Sequence, residues 1–277
     1  MDAQEEIRVT GWTELNERLY EGSYKHEIMR NRSTFAFRGV SSSHYSLTTS
    51  LWRLGGSYVE MEQHLLRNFR KYARRNSVPE DSFWNWLALA QHHGLPTRLL
   101  DWSFSPQVAM HFATADLRRF DEDGVIWSVD FVRAHELLPD DLRELLAEER
   151  SDVFTVEMLD RAAGSLRAFG ELAGDDFLLF FEPPSLDDRI VNQFALFSVM
   201  SRADAPLERW LERHPGLYRK IVIPAELKWE VRDKLDQANV TERVLFPGLD
   251  GLSQWLKRYY TPRTRPHDGG PDPEDSR

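Results

Sequence analysis

The chain of 277 residues carries 45 acidic against 35 basic side chains, a formal net charge of -10, and no cysteine. The missing thiols exclude disulfides, thiolate nucleophiles, thiolate zinc sites and iron–sulfur clusters, and fit a reducing compartment. The acidic balance argues against broad electrostatic binding to nucleic acid, which needs a basic face, while 41% hydrophobic residues with 9 tryptophans suffice for a large core.

The opening Met1-Asp2-Ala3-Gln4-Glu5-Glu6 is acidic with no apolar run behind it, so neither a secretion nor a transit signal is expected. A helix is predicted from Trp12 to Tyr20. Phe35 to Val40 then alternates large apolar groups as a short strand before the serines at 41–43. From Tyr58 to Arg75, Met61, Leu65, Leu66, Phe69 and Tyr72 recur at helical spacing; the basic run Arg67 to Arg75 reads as the solvated face of that helix. Ser82 to His93 holds too many large groups for a one-sided helix, and Gly94 stands where a glycine would end it. Ser105-Pro106 is an N-cap with proline at the first position of a helix predicted to Arg119.

Gly124 to Phe131 is the clearest strand. Two helical stretches, about 134–149 and 155–169, form a helical insertion before the strand Phe177 to Phe181. Arg189 to Met200 reads as a loop feeding a strand, Tyr218 to Ile223 as another strand, and Pro224 opens a helix to Gln237. A last helix covers Leu249 to Tyr260, and 261–277 has a disordered composition. No apolar run approaches the roughly 20 residues that a membrane-crossing helix needs, so a cytoplasmic protein without membrane contact is expected. Strands and helices mix without strict βαβ alternation. This predicts an α+β fold of mixed or antiparallel sheets flanked by helices, as one domain over 1–260.

Four features are candidates for chemistry. Arg38 closes an apolar strand just before Gly39; a guanidinium fork there reads a phosphate, with the glycine admitting ligand to the backbone, or else forms an ordinary ion pair. The run Gln91 to Ser103 brings His92, His93, Thr97, Arg98, Asp101 and Trp102 into an otherwise buried stretch, where each polar group needs a partner. Adjacent histidines at a helix end diverge by about 100° and rarely share an ion, so no metal is expected. Ser103 and Ser105 precede a helix, and Ser105 alone is explained as its cap. Arg189 and Asn192-Gln193 sit at the start of an apolar strand.

Together, Phe37-Arg38-Gly39, the run Gln91 to Trp102, Ser105-Pro106 with Ala109, Phe112 and Ala113, and Arg189 with Gln193 and Phe197 resemble the FRG domain family over about residues 30–200. Phe246 to Leu252 also resembles family C-termini, and Ala195 stands where the family usually shows glycine. Such domains are common in bacteria and phages, often in defence-related settings. A second resemblance, to mono-ADP-ribosyltransferases, rests on the order of Arg38, Ser103 or Ser105, and Gln193. It implies an ADP-ribosyltransferase-like fold using NAD as cofactor and acting on a macromolecular target, protein or nucleic acid. In that reading Arg38, Ser103, Gln193 and Glu182 are catalytic, with Glu182 or Asp188 supplying the carboxylate that Gln193 lacks. Arg38, Gly39, His92, His93, Thr97, Arg98, Asp101, Trp102, Ser105 and Arg189 hold the nucleotide. A non-catalytic sensor of nucleotide, nucleic acid or protein is the alternative, and a nuclease the third.

Overall fold

The computed structural model describes residues 6–73, 78 and 80–263. Among these, the strands in chain order are β1 (Glu6–Arg8), β2 (Tyr24–Lys25), β3 (Arg30–Asn31), β4 (Phe35–Val40) and β5 (Leu99–Ser103). They continue as β6 (Gly124–Asp130), β7 (Phe154–Thr155), β8 (Leu178–Glu182), β9 (Ala195–Met200) and β10 (Tyr218–Ile223). β2 and β3 form a small hairpin, and the other eight make one sheet ordered β1-β10-β6-β4-β5-β9-β8-β7. Only β1 with β10 and β7 with β8 run parallel. This is the α+β architecture that the mixed order of elements predicted.

The register divides the sheet. All of β4, Phe35 to Val40, pairs with Asp130 to Val125 of β6, and all of β5, Leu99 to Ser103, pairs with Val199 to Ala195 of β9. Between β4 and β5 there is a single pair, Phe37 with Ser103. Beyond it the two strands separate, so the sheet is two four-stranded halves hinged at one point.

Alternation along each strand sorts the side chains onto two faces. One face carries a core from Ala36, Leu100, Trp102, Trp127, Val129 and Phe180, closed by the helices Phe131–His135 and Leu207–Glu212. The opposite face carries two separate cores. Over β5, β9 and β8, Leu99, Phe181 and Phe197 pack on the helices Tyr58–Tyr72 and Phe83–His92. Over β4, β6 and β10, Phe37, Ile126 and Ile221 pack on the helices Trp12–Tyr20, Pro106–Ala113 and Lys228–Gln237. The gap between these two cores lies over the split between β4 and β5.

Local sequence explains most boundaries. The Ser82 hydroxyl accepts from the Asn85 N–H at the start of Phe83–His92, and Gly94, at φ +79°, ends that helix in the left-handed region. Ser105 likewise caps the helix beginning at Pro106. That helix stops at Ala113 rather than Arg119, because the Thr114 hydroxyl bonds back to the Met110 carbonyl at 2.8 Å and the chain turns into the short 3-10 segment Leu117–Arg119. The stretch read as two helices is four short ones, Phe131–His135, Asp140–Glu149, Val156–Ala162 and Leu166–Gly170, and β7 within it forms the sheet edge. The loop expected before β9 contains a five-residue helix, Asp188–Asn192, capped by Asp187. A last helix spans Leu249–Tyr259. Arg74 and Arg75 of the basic run, and all of the C-terminal tail after Arg263, lie outside the described residues. Among the described residues no helix is long and apolar enough to cross a membrane.

Candidate functional site

The split between β4 and β5 opens into a cavity of about 620 Å³, within the usual range for small-molecule sites. The ends of the helix Phe83–His92 and the strand β5 form one wall, the helix Pro106–Ala113 the other, and the helix Asp188–Asn192 closes it. Of the residues singled out from sequence, Arg38, Gly39, His92, His93, Asp101, Trp102, Ser103, Arg189 and Gln193 line it.

Arg38 begins on the face of Ala36 and Val40, and the split lets its guanidinium pass between the halves. Its Nη1 donates to the Asp101 carbonyl at 2.5 Å, an oxygen that no β4 amide reaches. Its Nε is fully covered and has no partner among the described residues. Burial lowers the guanidinium from its usual value and the like charge of Arg53 adds to this, while the Asp101 carboxylate opposes. The same condition recurs across the cavity. Arg189 holds its guanidinium 5.1 Å from the centre of the Phe246 ring, and its Nε is also buried without a partner among the described residues. A buried donor left unmatched costs about 1–3 kcal/mol, more when charged, so two in one cavity mark a place for acceptor atoms. Asp101 is the sole carboxylate among the described residues lining the cavity. Its Oδ2 accepts from Gln91 Nε2 at 3.0 Å, and its other oxygen has no protein partner among the described residues.

Several expected site groups serve the framework instead. Gly39 does not open the backbone to ligand: a Cβ there would lie 1.9 Å from the Ala109 carbonyl oxygen and 2.6 Å from the Ala113 nitrogen. The helix backbone fills the space, and glycine is what lets it pack flush on β4. Arg98 points away from the cavity into a buried ion pair. Its Nε lies 2.9 Å from both oxygens of Glu62, and its Nη1 donates to the Ser201 carbonyl at 3.0 Å. Among the described residues Arg98 makes no ion pair with Asp101, although the two stand three residues apart. Thr97 is buried, with its N–H on the Ser50 hydroxyl at 3.1 Å and its own hydroxyl on Gln91. Trp102 lines the cavity, but its indole reaches the opposite core, where Nε1 donates to Ser198 Oγ at 2.8 Å. Ser105 is a helix cap and does not line the cavity.

Ser103 Oγ donates to the Gln193 carbonyl at 2.6 Å and accepts from the Ser105 N–H at 2.9 Å, so its hydroxyl ties β5 to the turn before β9. The Gln193 side chain is also engaged, Nε2 donating to the Leu245 carbonyl at 2.9 Å. Glu182 is absent from the lining: strand alternation puts it on the face of Leu178 and Phe180, away from the split. Burial raises its carboxyl above the usual range, but the missing carboxylate of the transferase scheme is not supplied there.

Sequence reasoning passed over Arg53 and Asp187. Arg53, from the segment crossing in front of the split, lines the cavity. Asp187 Oδ2 lies 2.6 Å from His92 Nε2. Its readable signal is an aspartate three residues before Ile190, the spacing of an N-cap; nothing local marks Arg53. Among the described residues no three His, Cys, Asp or Glu side chains are grouped to hold a metal ion.

Residues 33–122 match the model of a family described as the FRG domain. No curated protein and no solved structure matches the chain. The matched span includes Arg38, Arg53, His92 and Asp101, while Arg189, Gln193 and Phe246 lie beyond it. The FRG-domain match at residues 33–122 thus takes in both walls of the cleft and Arg38 between them, while the closing helix Asp188–Asn192 lies beyond it.

Proposed function

We propose that the cleft binds a phosphate-bearing nucleotide of the NAD type. The observation that carries this is that Arg38 and Arg189 line one cavity, each with a covered Nε that has no partner among the described residues. A guanidinium fork matches the oxygens of a phosphate, and charge-assisted bonds of this kind are the strong ones. With Arg53 also present, three cations face a single carboxylate, which favours an anionic occupant.

The extension to ADP-ribosyl transfer onto a macromolecular target rests on chemistry at one ribose. Breaking the nicotinamide–ribose bond builds positive charge on the sugar, and a carboxylate near it lowers that barrier. With Gln193 committed to Leu245 and Glu182 outside the cavity, Asp101 is the group left for that role, its free oxygen able to accept from a ribose hydroxyl. In a sensor, the same cleft would bind the nucleotide and leave it intact.

Calorimetric titration with NAD, ADP-ribose and pyrophosphate, with nicotinamide release followed in the NAD samples, tests the reading. Wild type should bind the nucleotides, and Arg38→Ala and Arg189→Ala should each weaken binding tenfold or more, as loss of a charged hydrogen bond implies. Folded wild-type protein that binds none of the three would end this proposal. Binding without nicotinamide release would leave the sensor.

A further inference from the structure

Two adjacent histidines end the helix that walls the cleft, and their surroundings differ. His93 is exposed, and its nearest described partner is the His92 ring, met edge-on at 5.2 Å. The His92 side chain is 9% exposed and its Nε2 stands 2.6 Å from Asp187 Oδ2. Asp187 divides its two oxygens. Oδ1 accepts the Ile190 N–H at 3.0 Å, fixing the start of the helix that carries Arg189, and Oδ2 holds the imidazole. Burial pushes the Asp187 carboxyl up, but the Ile190 N–H and His92 outweigh it and hold the group below the usual range, ionised at neutral pH. An ionised acceptor at that distance places the proton on Nε2. In the neutral ring the lone pair is then on Nδ1, which has no protein partner among the described residues.

We infer that His92 Nδ1 is the proton acceptor of the cleft and that Asp187 is its positioning residue. The inference rests on the NAD-type reading and adds a reaction to it. The oxygen of a water or of a hydroxyl group on the target attacks C1′ of the nicotinamide ribose, forming the O–C1′ bond. The C1′–N bond breaks with its electron pair passing to the pyridine nitrogen, so nicotinamide leaves neutral. The nucleophile's proton goes to Nδ1, giving an imidazolium paired with the Asp187 carboxylate, and is then lost to solvent. The arrangement follows the general pattern of an oriented imidazole base, in which the carboxylate sets the tautomer and steadies the cation.

The test measures nicotinamide release from NAD against pH, with water as acceptor, alongside calorimetric binding of ADP-ribose, for wild type, His92→Gln and Asp187→Asn. Asparagine keeps an oxygen for the Ile190 cap, so a fall in rate for that variant is not a loss of the helix. Wild-type rate should rise with pH and reach a plateau. His92→Gln should lose about 10²–10⁴-fold in rate and the pH dependence with it. Asp187→Asn should move the inflection to lower pH and lower the plateau, and both variants should bind ADP-ribose within about threefold of wild type. Rate and affinity falling in parallel would make the pair a binding element and overturn the inference; so would unchanged rates. Wild type that binds ADP-ribose and releases no nicotinamide would overturn the base and leave nucleotide binding standing. Wild type that does not bind ADP-ribose would remove both.

Discussion

Lowering the pH from 7 to 5 charges two histidines in the unfolded chain that the fold keeps neutral. His135 is buried between two backbone groups: Nδ1 lies 3.0 Å from the Asp152 carbonyl and Nε2 accepts the Phe180 N–H at 2.9 Å. A second ring proton would face that N–H, and burial, the larger cause, takes the pKa down from 6.5 to about 4. His111, equally buried, accepts from Arg232 Nη1 at 2.9 Å and is lowered to about 3, by burial first and then by the Arg232 charge. Both folded values lie below the unfolded one, so the unfolded state binds more protons from about pH 6.5 down to pH 3–4, and stability falls as pH falls through that window. Between pH 7 and pH 5 each histidine contributes a loss of about 2 kcal/mol, or about 3–4 kcal/mol together. Ordinary carboxylates stay ionised over this interval, and Glu242, held at about 2 by Arg258 and Arg232 against its burial, does so further. Urea unfolding followed by tryptophan fluorescence at pH 7, 6 and 5 reads the loss directly, and the melting temperature should drop on the order of 10 °C. His135→Gln should flatten the pH slope by about half, whatever its own stability at pH 7. A stability constant from pH 7 to 5, or a slope that His135→Gln leaves unchanged, would refute the reasoning.

Three substitutions separate framework from site. Gly39→Ala should cost several kcal/mol, on the order of 3 or more, because the methyl must displace a helix backbone at 1.9 Å rather than a flexible side chain; a melting temperature within 2 °C of wild type would show that the helix yields. Arg98→Ala should destabilise by about 3–5 kcal/mol by leaving Glu62 buried and unpaired, and Arg98→Met with Glu62→Leu should recover most of that in urea unfolding. Ser103→Ala should cost about 1–3 kcal/mol through its two lost bonds, with ligand affinity changed less than by Arg38→Ala, compared by melting and calorimetry on the same preparations.

What was legible in the sequence was what neighbours decide. Ser82 and Ser105 cap the helices they precede, Gly94 ends one, and the apolar alternation of Phe35 to Val40 makes a strand, because each depends on groups within a turn of chain. The roles within the site depend on partners far away. Arg38 and Arg98 look alike as arginines within apolar segments, yet Arg98 meets Glu62 of the helix Tyr58–Tyr72, while Arg38 meets a carbonyl freed by the separation of β4 from β5. That separation is a matter of register, and nothing in Phe35 to Val40 or Leu99 to Ser103 encodes how many residues of one will face the other. Asp101 and Trp102 show the same limit at one-residue distance: both stand in β5, and alternation sends the carboxylate into the split and the indole into the opposite core. Once β5 is placed beside β9, every side chain on it is assigned. Pairing beyond Phe37 and Ser103 would carry Gly39 opposite Asp101 and close the cavity, so the single pair is what makes this sheet a site rather than only a scaffold.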